Sequence, residues 1–459
     1  MSRLLRAAAA TLLILGLLPP GASAATPIFE EPTAEATFGS DITFAQAFAS
    51  PVPLARVELL LEFPGSLGPF VVQVAGTMPA GRHELVQRWL LVEDGHLVPN
   101  TPVIARWRLV PGDRGISPSV GPSVRVVYED SRFSWRTLED DLVRLHWYEG
   151  SAAFGRRALT IAEDAVREAA DFMGVTESEP IDFFVYADQG AFYDALGPGT
   201  RENVGGQAHS DIRTMFALIA PSDVTDAWVG IVIPHELTHL VFDTAVRNPY
   251  HFPPRWLNEG VATYLSEGYR PSARASVEDA VNGGRLMPLQ ALGGQFPTTY
   301  ERFSLAYDES VSAVEYLVRE DGTEALVELI GSYADGVTDD EAFLAAVGRD
   351  VTGFEAAWLE DLGADTPTRY GPEPAPAGPL PPGWDEAAAT APPGATTSPA
   401  TSSAPSAIAD PGGDGSAGES PFLQGGVLIV AALAGLLVGG SIAYVRRRRG
   451  AGGPPGETP

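Results

Sequence analysis

Three positions constrain the fold of this 459-residue chain more than any others: His235 and His239, four apart, and Glu259, twenty residues further on. Histidines at i and i+4 lie one turn apart on one helix face, so both imidazoles of His235-Glu236-Leu237-Thr238-His239 can reach a single cation. Glu236 then lies beside that cation, placed to take a proton from water. In Arg255-Trp256-Leu257-Asn258-Glu259-Gly260-Val261-Ala262-Thr263, the apolar positions Trp256, Leu257, Val261 and the following Leu265 form one stripe of a second helix, which fixes the face carrying Glu259. A chain with this pattern has to bring two helices together around one ion. Two imidazoles and a carboxylate, with a fourth position open, are the ligand set of a catalytic rather than a structural zinc site, one Zn2+ per chain. The competing explanation is an amphipathic helix with a chance pattern beside an exposed glutamate. With only seven histidines in the chain, the full pattern is seldom met by accident.

Trp256-Leu257-Asn258-Glu259-Gly260-Val261-Ala262 resembles the glutamate segment of gluzincin metallopeptidases, and His235 to His239 followed by Asp243 is similar to the thermolysin active helix. Leu305-Ala306-Tyr307-Asp308-Glu309-Ser310, leading into Val314 and Tyr316-Leu317, resembles the tyrosine-bearing helix of peptidase MA-like proteins. The resemblance covers about residues 129–365. It implies a zincin-like metallopeptidase domain that hydrolyses a peptide or protein substrate, with His235, His239 and Glu259 on zinc and Glu236 as general base. Tyr307 has two readings, a hydroxyl donor to the oxyanion or a buried structural tyrosine. Asp243 likewise either orients a ligand from behind or faces solvent. The resemblance also implies a last strand, at 214–220, on the sheet edge above the metal, where a peptide could add by main-chain hydrogen bonds.

Two departures bear on specificity and metal binding. Zinc aminopeptidases carry Gly-x-Met-Glu-Asn, whose glutamate holds the substrate's free amine; the corresponding Gly205-Gly206-Gln207-Ala208-His209 has no acid, which favours an endopeptidase. The thermolysin branch places an aspartate four residues after the glutamate ligand, where this chain has Thr263. The rival from another class is a non-catalytic zincin-fold module for surface binding or adhesion, with a structural zinc.

The rest of the chain reads as export and anchoring around two folded regions. Residues 1–24 have the form of a signal peptide: Arg3 and Arg6, an apolar run from Ala7 to Leu18, and Ala22-Ser23-Ala24 as a cleavage site. Short apolar and alternating segments such as 57–63, 83–89, 103–109 and 124–128, punctuated by Pro and Gly, predict a β-sandwich over 25–128, of immunoglobulin-like kind. From 129 to 370 the pattern is α+β: strands at 143–148, 181–186 and 214–220, helices at 152–173 and 189–196, and the metal helix over about 225–246. Pro234 either kinks that helix or marks where a straight segment starts. His251 reads as a loop residue. A helical half follows, near 274–282, 303–319, 322–334, 338–348 and 351–361.

Residues 371–421 collapse to Pro, Ala, Gly, Ser and Thr, a composition that cannot bury enough apolar surface to fold. The uncharged apolar stretch 422–445 is long enough to span a bilayer as a helix. Arg446 to Arg449 open a tail, 446–459, that the positive-inside rule assigns to the cytoplasm, leaving the folded regions extracellular on a single-pass protein of the cell membrane. The net charge of −29, from 59 acidic against 30 basic residues with no lysine, excludes the basic surface that nucleic-acid binding needs. No cysteine occurs, which excludes thiolate ligands, a cysteine nucleophile and disulfides.

Overall fold

A computed structural model describes residues 26–197, 205–248, 252–367 and 426–427. The signal segment at 1–24, the linker at 371–421, His251 and most of 422–445 lie outside these residues. The chain divides into two compact units, the first ending at Ser134 apart from a return at 193–199.

The first unit is built from eight strands: β1 (Ile28–Phe29), β2 (Thr33–Thr37), β3 (Asp41–Ser50), β4 (Leu54–Glu62), β5 (Phe70–Ala75), β6 (Gly81–Leu90), β7 (Thr101–Pro111) and β8 (Ser119–Tyr128). All pair antiparallel. β3 takes β1 and β2 on one edge and β6 on the other, while β5, β4, β7 and β8 form a second sheet in that order. Pairing β3 with β6 and β4 with β7 sends successive strands to different sheets, the Greek-key habit of β-sandwiches. The period-2 sequence determines which face is inside. Along β7, Val103, Ala105, Trp107 and Leu109 are buried completely, while Arg106 and Arg108 between them pair with Glu62 and Glu58 of β4. Ile42, Phe44 and Phe48 of β3 supply the core from the other sheet.

The second unit opens with β9 (Arg136–Glu139) and β10 (Val143–Trp147), then α1 (Ala152–Met173), β11 (Ile181–Tyr186), α2 (Gln189–Leu196), β12 (Gly206–His209) and β13 (Thr214–Leu218). Its helical part comprises α3 (Val229–Val246), α4 (Arg255–Ser266), α5 (Pro271–Asn282), α6 (Tyr300–Asp321), α7 (Thr323–Ser332), α8 (Asp339–Val347) and α9 (Val351–Leu362). β10, β11 and β13 run parallel, with β9 and β12 antiparallel at the flanks. α1 forms where its caps say it should: the Ser151 side chain accepts from Phe154 N–H at the start, and Gly174 takes the left-handed conformation (φ 66°) at the end. Its Ala158, Ala162, Val166 and Ala169 share one buried face, packed in the core that also holds Ile233, Leu237 and Val241 of α3.

The structure corrects one expectation here and differs from another at two residues. The strand expected at the sheet edge, 214–220, is interior: β13 lies between β11 and β12, because β12 pairs antiparallel along its other side. The strand beside the metal helix on that side of β13 is therefore Gly206–His209. A two-residue strand, β14 (Gly426–Val427), pairs antiparallel with it at Ala208 and His209. At those two residues the helix expected over 422–445 gives way to strand, since an open strand edge offers unpaired backbone groups to any extended segment. Among the described residues no helix is long and apolar enough to cross a membrane. Pro234 does not start the metal helix, which begins at Val229 and continues through it.

Candidate active site

α3 carries both histidines and α4 the third ligand. Oε2 of Glu259 lies 3.6 Å from Nε2 of His235 and 3.6 Å from Nε2 of His239. The three side chains are buried, and none of these three atoms has a hydrogen-bond partner among the described residues. Orphaned buried polar atoms are costly unless something binds them. A tetrahedral zinc with bonds of about 2.1 Å would space its donors by about 3.4 Å, so this set fits the ion. Among the described residues it is the one group of His, Asp and Glu side chains that converges in this way.

His239 and Glu259 are in the state a metal requires. Burial holds His239 down to about 4, so the ring is neutral near pH 7. Its Nδ1–H donates to Oδ1 of Asn258 at 2.7 Å, which leaves the lone pair on Nε2. Burial by itself would raise Glu259, but His235, His239 and Arg255 more than offset it and hold the carboxyl below its ordinary range. Glu236 is the opposite case. Burial first, and the neighbouring Glu259 carboxylate second, push it well above the usual carboxylate range, against the pull of an N–H from Ala208. Two carboxylates side by side with proton affinities driven apart are what an acid–base site looks like.

Gly206 lets β12 run over this base. A Cβ there would meet Cγ of Glu236 at 2.7 Å and its Oε1 at 2.9 Å. Gly260 does the same for α4 against α6, where a Cβ would lie 2.6 Å from the Ser310 carbonyl oxygen. That close approach brings Tyr307, one turn before Ser310 on α6, up to the metal ligands. Its ring lies 6.4 Å from that of His235, and its buried hydroxyl has no hydrogen-bond partner of standard geometry. Burial and then the Glu259 carboxylate keep the phenol protonated far beyond neutral pH, although the Arg255 guanidinium beside it pulls the other way. Tyr307 is thus a donor with nothing yet to donate to.

Residues 161–364 match the family profile described as Peptidase MA superfamily. This region belongs to that superfamily. The peptidase MA region includes His235, His239, Glu259, Glu236 and Tyr307, and its converging donor set is one that could hold a metal. Comparison with solved structures finds the M1 zinc metallopeptidase from Deinococcus radiodurans, 14% identical, covering 76% of this chain and 96% of that one at a TM-score of 0.36. It also finds an aminopeptidase N family protein from Idiomarina loihiensis, 10% identical, covering 71% and 76% at a TM-score of 0.37. Both scores are low, and neither likeness assigns an activity to this chain. A search of curated sequences finds no match.

One residue of the peptidase MA region does not reach the site. Asp243 sits near Asp211, Glu177, Arg213 and Arg247, and the second nitrogen of His239 is already taken by Asn258. Orienting that histidine therefore falls to a residue adjacent to the ligand glutamate rather than to the next turn of α3. Thr263, in the place of the thermolysin-type aspartate, keeps its Oγ1 buried and without a partner. Asn258, Arg255 and Gly206 are the site residues that sequence reasoning passed over. Asn258 had a legible signal, a side-chain acceptor within the same helical turn as Glu259; Gly206 had none, because a close approach between a strand and a helix is not written in either one.

Proposed function

We propose that this protein is a zinc-dependent peptidase, held at the cell membrane, that cuts peptide bonds with Glu236 as general base. The observation that carries the reading is the convergence of three unpartnered donors beside a carboxyl whose proton affinity is raised. Zinc, when bound by His235, His239 and Glu259, supplies Lewis acidity that polarises a carbonyl and acidifies water. Glu236 takes the proton at its unpartnered Oε2 and delivers it to the leaving amine. Tyr307 points its hydroxyl proton at the developing oxyanion. An extended substrate lies along β12. Leu218 N–H donates to Gly205 C=O at 2.9 Å, so by antiparallel alternation the backbone groups of Gly206 and Ala208 face away from β13, toward the side where Gly426–Val427 pairs and which the substrate would take in its place. Because β12 itself carries no carboxylate to hold a free amine, the reading favours internal bonds over N-terminal residues.

Glu236→Gln is expected to keep stoichiometric zinc while kcat falls about 10²–10⁴-fold on a quenched peptide library. Equal turnover by the variant would sink the assignment. N-acetylated peptides should be cut as well as free ones; a strict need for the free amine would reverse the endopeptidase preference. The membrane part rests on residues 422–445 and the arginines after them. Their insertion in a bilayer would draw Gly426–Val427 off the edge of β12. Full-length protein should resist carbonate extraction from membranes and a chain ending at Pro421 should not; release of both would remove the anchor.

A further inference from the structure

Arg255 is the first residue of α4, and Glu259 is one turn on. Its Nε and its terminal NH2 nitrogen both lie 3.0 Å from Oε1 of Glu259. That oxygen accepts the Nε–H hydrogen bond and has a second guanidinium nitrogen in ion-pair contact, and it is Oε2 that faces the histidines. The guanidinium is held in turn: its Cζ sits 4.7 Å from the centroid of the Phe296 ring, and Phe296 packs edge-on against Tyr307 at 5.3 Å. It also lies close enough to the Tyr307 hydroxyl to act on it electrostatically.

Nothing in the stability of α4 asks for this residue. A cation in the first turn opposes the helix dipole, and arginine before glutamate at i and i+4 is the poorer order of an ion pair. Nor does charge balance ask for it, since a divalent ion between two neutral imidazoles and Glu259 already compensates the carboxylate. A local rule broken at a functional site, with no local gain, points to work done there. What Arg255 adds is direction: a planar guanidinium sets its Nε–H on one chosen oxygen with a second nitrogen alongside, which a point charge cannot do.

We propose that Arg255 is a positioning residue, which restricts Glu259 to binding the metal through one oxygen and fixes the Tyr307 hydroxyl toward the reacting carbonyl. The first half concerns the metal site alone; the second rests on the proposed peptidase activity. Keeping the carboxylate to a single bond leaves a coordination position for water and substrate. Without the guanidinium, Glu259 is free to turn and offer both oxygens.

The test uses the full chain with cobalt(II) in place of zinc, comparing wild type with Arg255→Ala and Arg255→Lys. Wild type is expected to give the intense visible band of a low-coordinate site. Both variants should lose intensity as the carboxylate becomes bidentate, and zinc affinity, read by competition with a chromophoric chelator, should drop about 10–100-fold. Turnover should fall at least about tenfold with KM changed less than about threefold, and added guanidinium should restore part of it in the alanine variant only. Superimposable cobalt spectra and equal zinc affinities across the three proteins would overturn the proposal. So would a lysine variant equal to wild type, which would show that charge alone suffices. Should the alanine variant fail to fold by circular dichroism, the lysine variant carries the same spectral comparison. Wild type that binds cobalt with the expected band but cleaves nothing would end the peptidase reading and leave the ligation half to be decided by the spectra.

Discussion

Asn258 holds the ring of His239, and Asp243 is left to a different account. Burial raises Asp243 to about 6, with Asp211 adding to the effect and Arg247 and Arg213 opposing it. The fold therefore binds this proton more tightly than the unfolded chain does. The aspartate costs nothing below its unfolded value near 4, and its penalty grows as pH rises to about 6 and is complete above. A shift of two units corresponds to about 3 kcal/mol. Asp243→Asn should accordingly melt several degrees above wild type at pH 8, with the gain vanishing toward pH 4. Equal gains at both pH values would mean that something other than the buried charge is responsible. The ligands themselves were legible because their chemistry is local: i and i+4 on a helix determines geometry without help from the rest of the fold. The orienting group was legible only in part: Asn258 carries a signal beside Glu259, but the choice between it and Asp243 is made when α4 is laid against α3.

At the scale of elements, periodicity did most of the work. The 3.6-residue rhythm of Leu159, Ala162, Val166 and Met173, ended by Gly174, predicts a helix over 152–173, and α1 has those limits. Strand β11 and helix α2 also keep the predicted limits. Sheet order followed less readily. A four-residue strand such as β12, with two glycines before its polar residues, carries no hydrophobic alternation to announce it, and pairing partners far apart in sequence are not encoded by either strand alone. That hidden strand carries a test. Gly206→Ala would drive a methyl into Glu236, and displacing a reacting group by an ångström can cost about 10²-fold in rate. Turnover should collapse while zinc stoichiometry and melting temperature stay near wild type; unchanged turnover would place Glu236 elsewhere during catalysis.

For the molecule as a whole, composition sets the two described units apart from the stretch that follows them. Apolar residues reach 45% of the chain, yet from Gly371 onward Pro, Ala, Gly, Ser and Thr take over until the apolar run at 422. With no cysteine anywhere, each unit is held by packing: one core under the two β-sheets, another among β10, β11, β13 and the helices. In the second unit a bound metal would add a pin to that packing. The two histidines come from α3, while the carboxylate, the amide that steadies one ring and the guanidinium all come from a single turn and a half of α4. A cation held by donors from both helices would be released fastest when the two rods separate. Its residence time would then report in part how often α3 and α4 part, and each such parting would take the donor set apart.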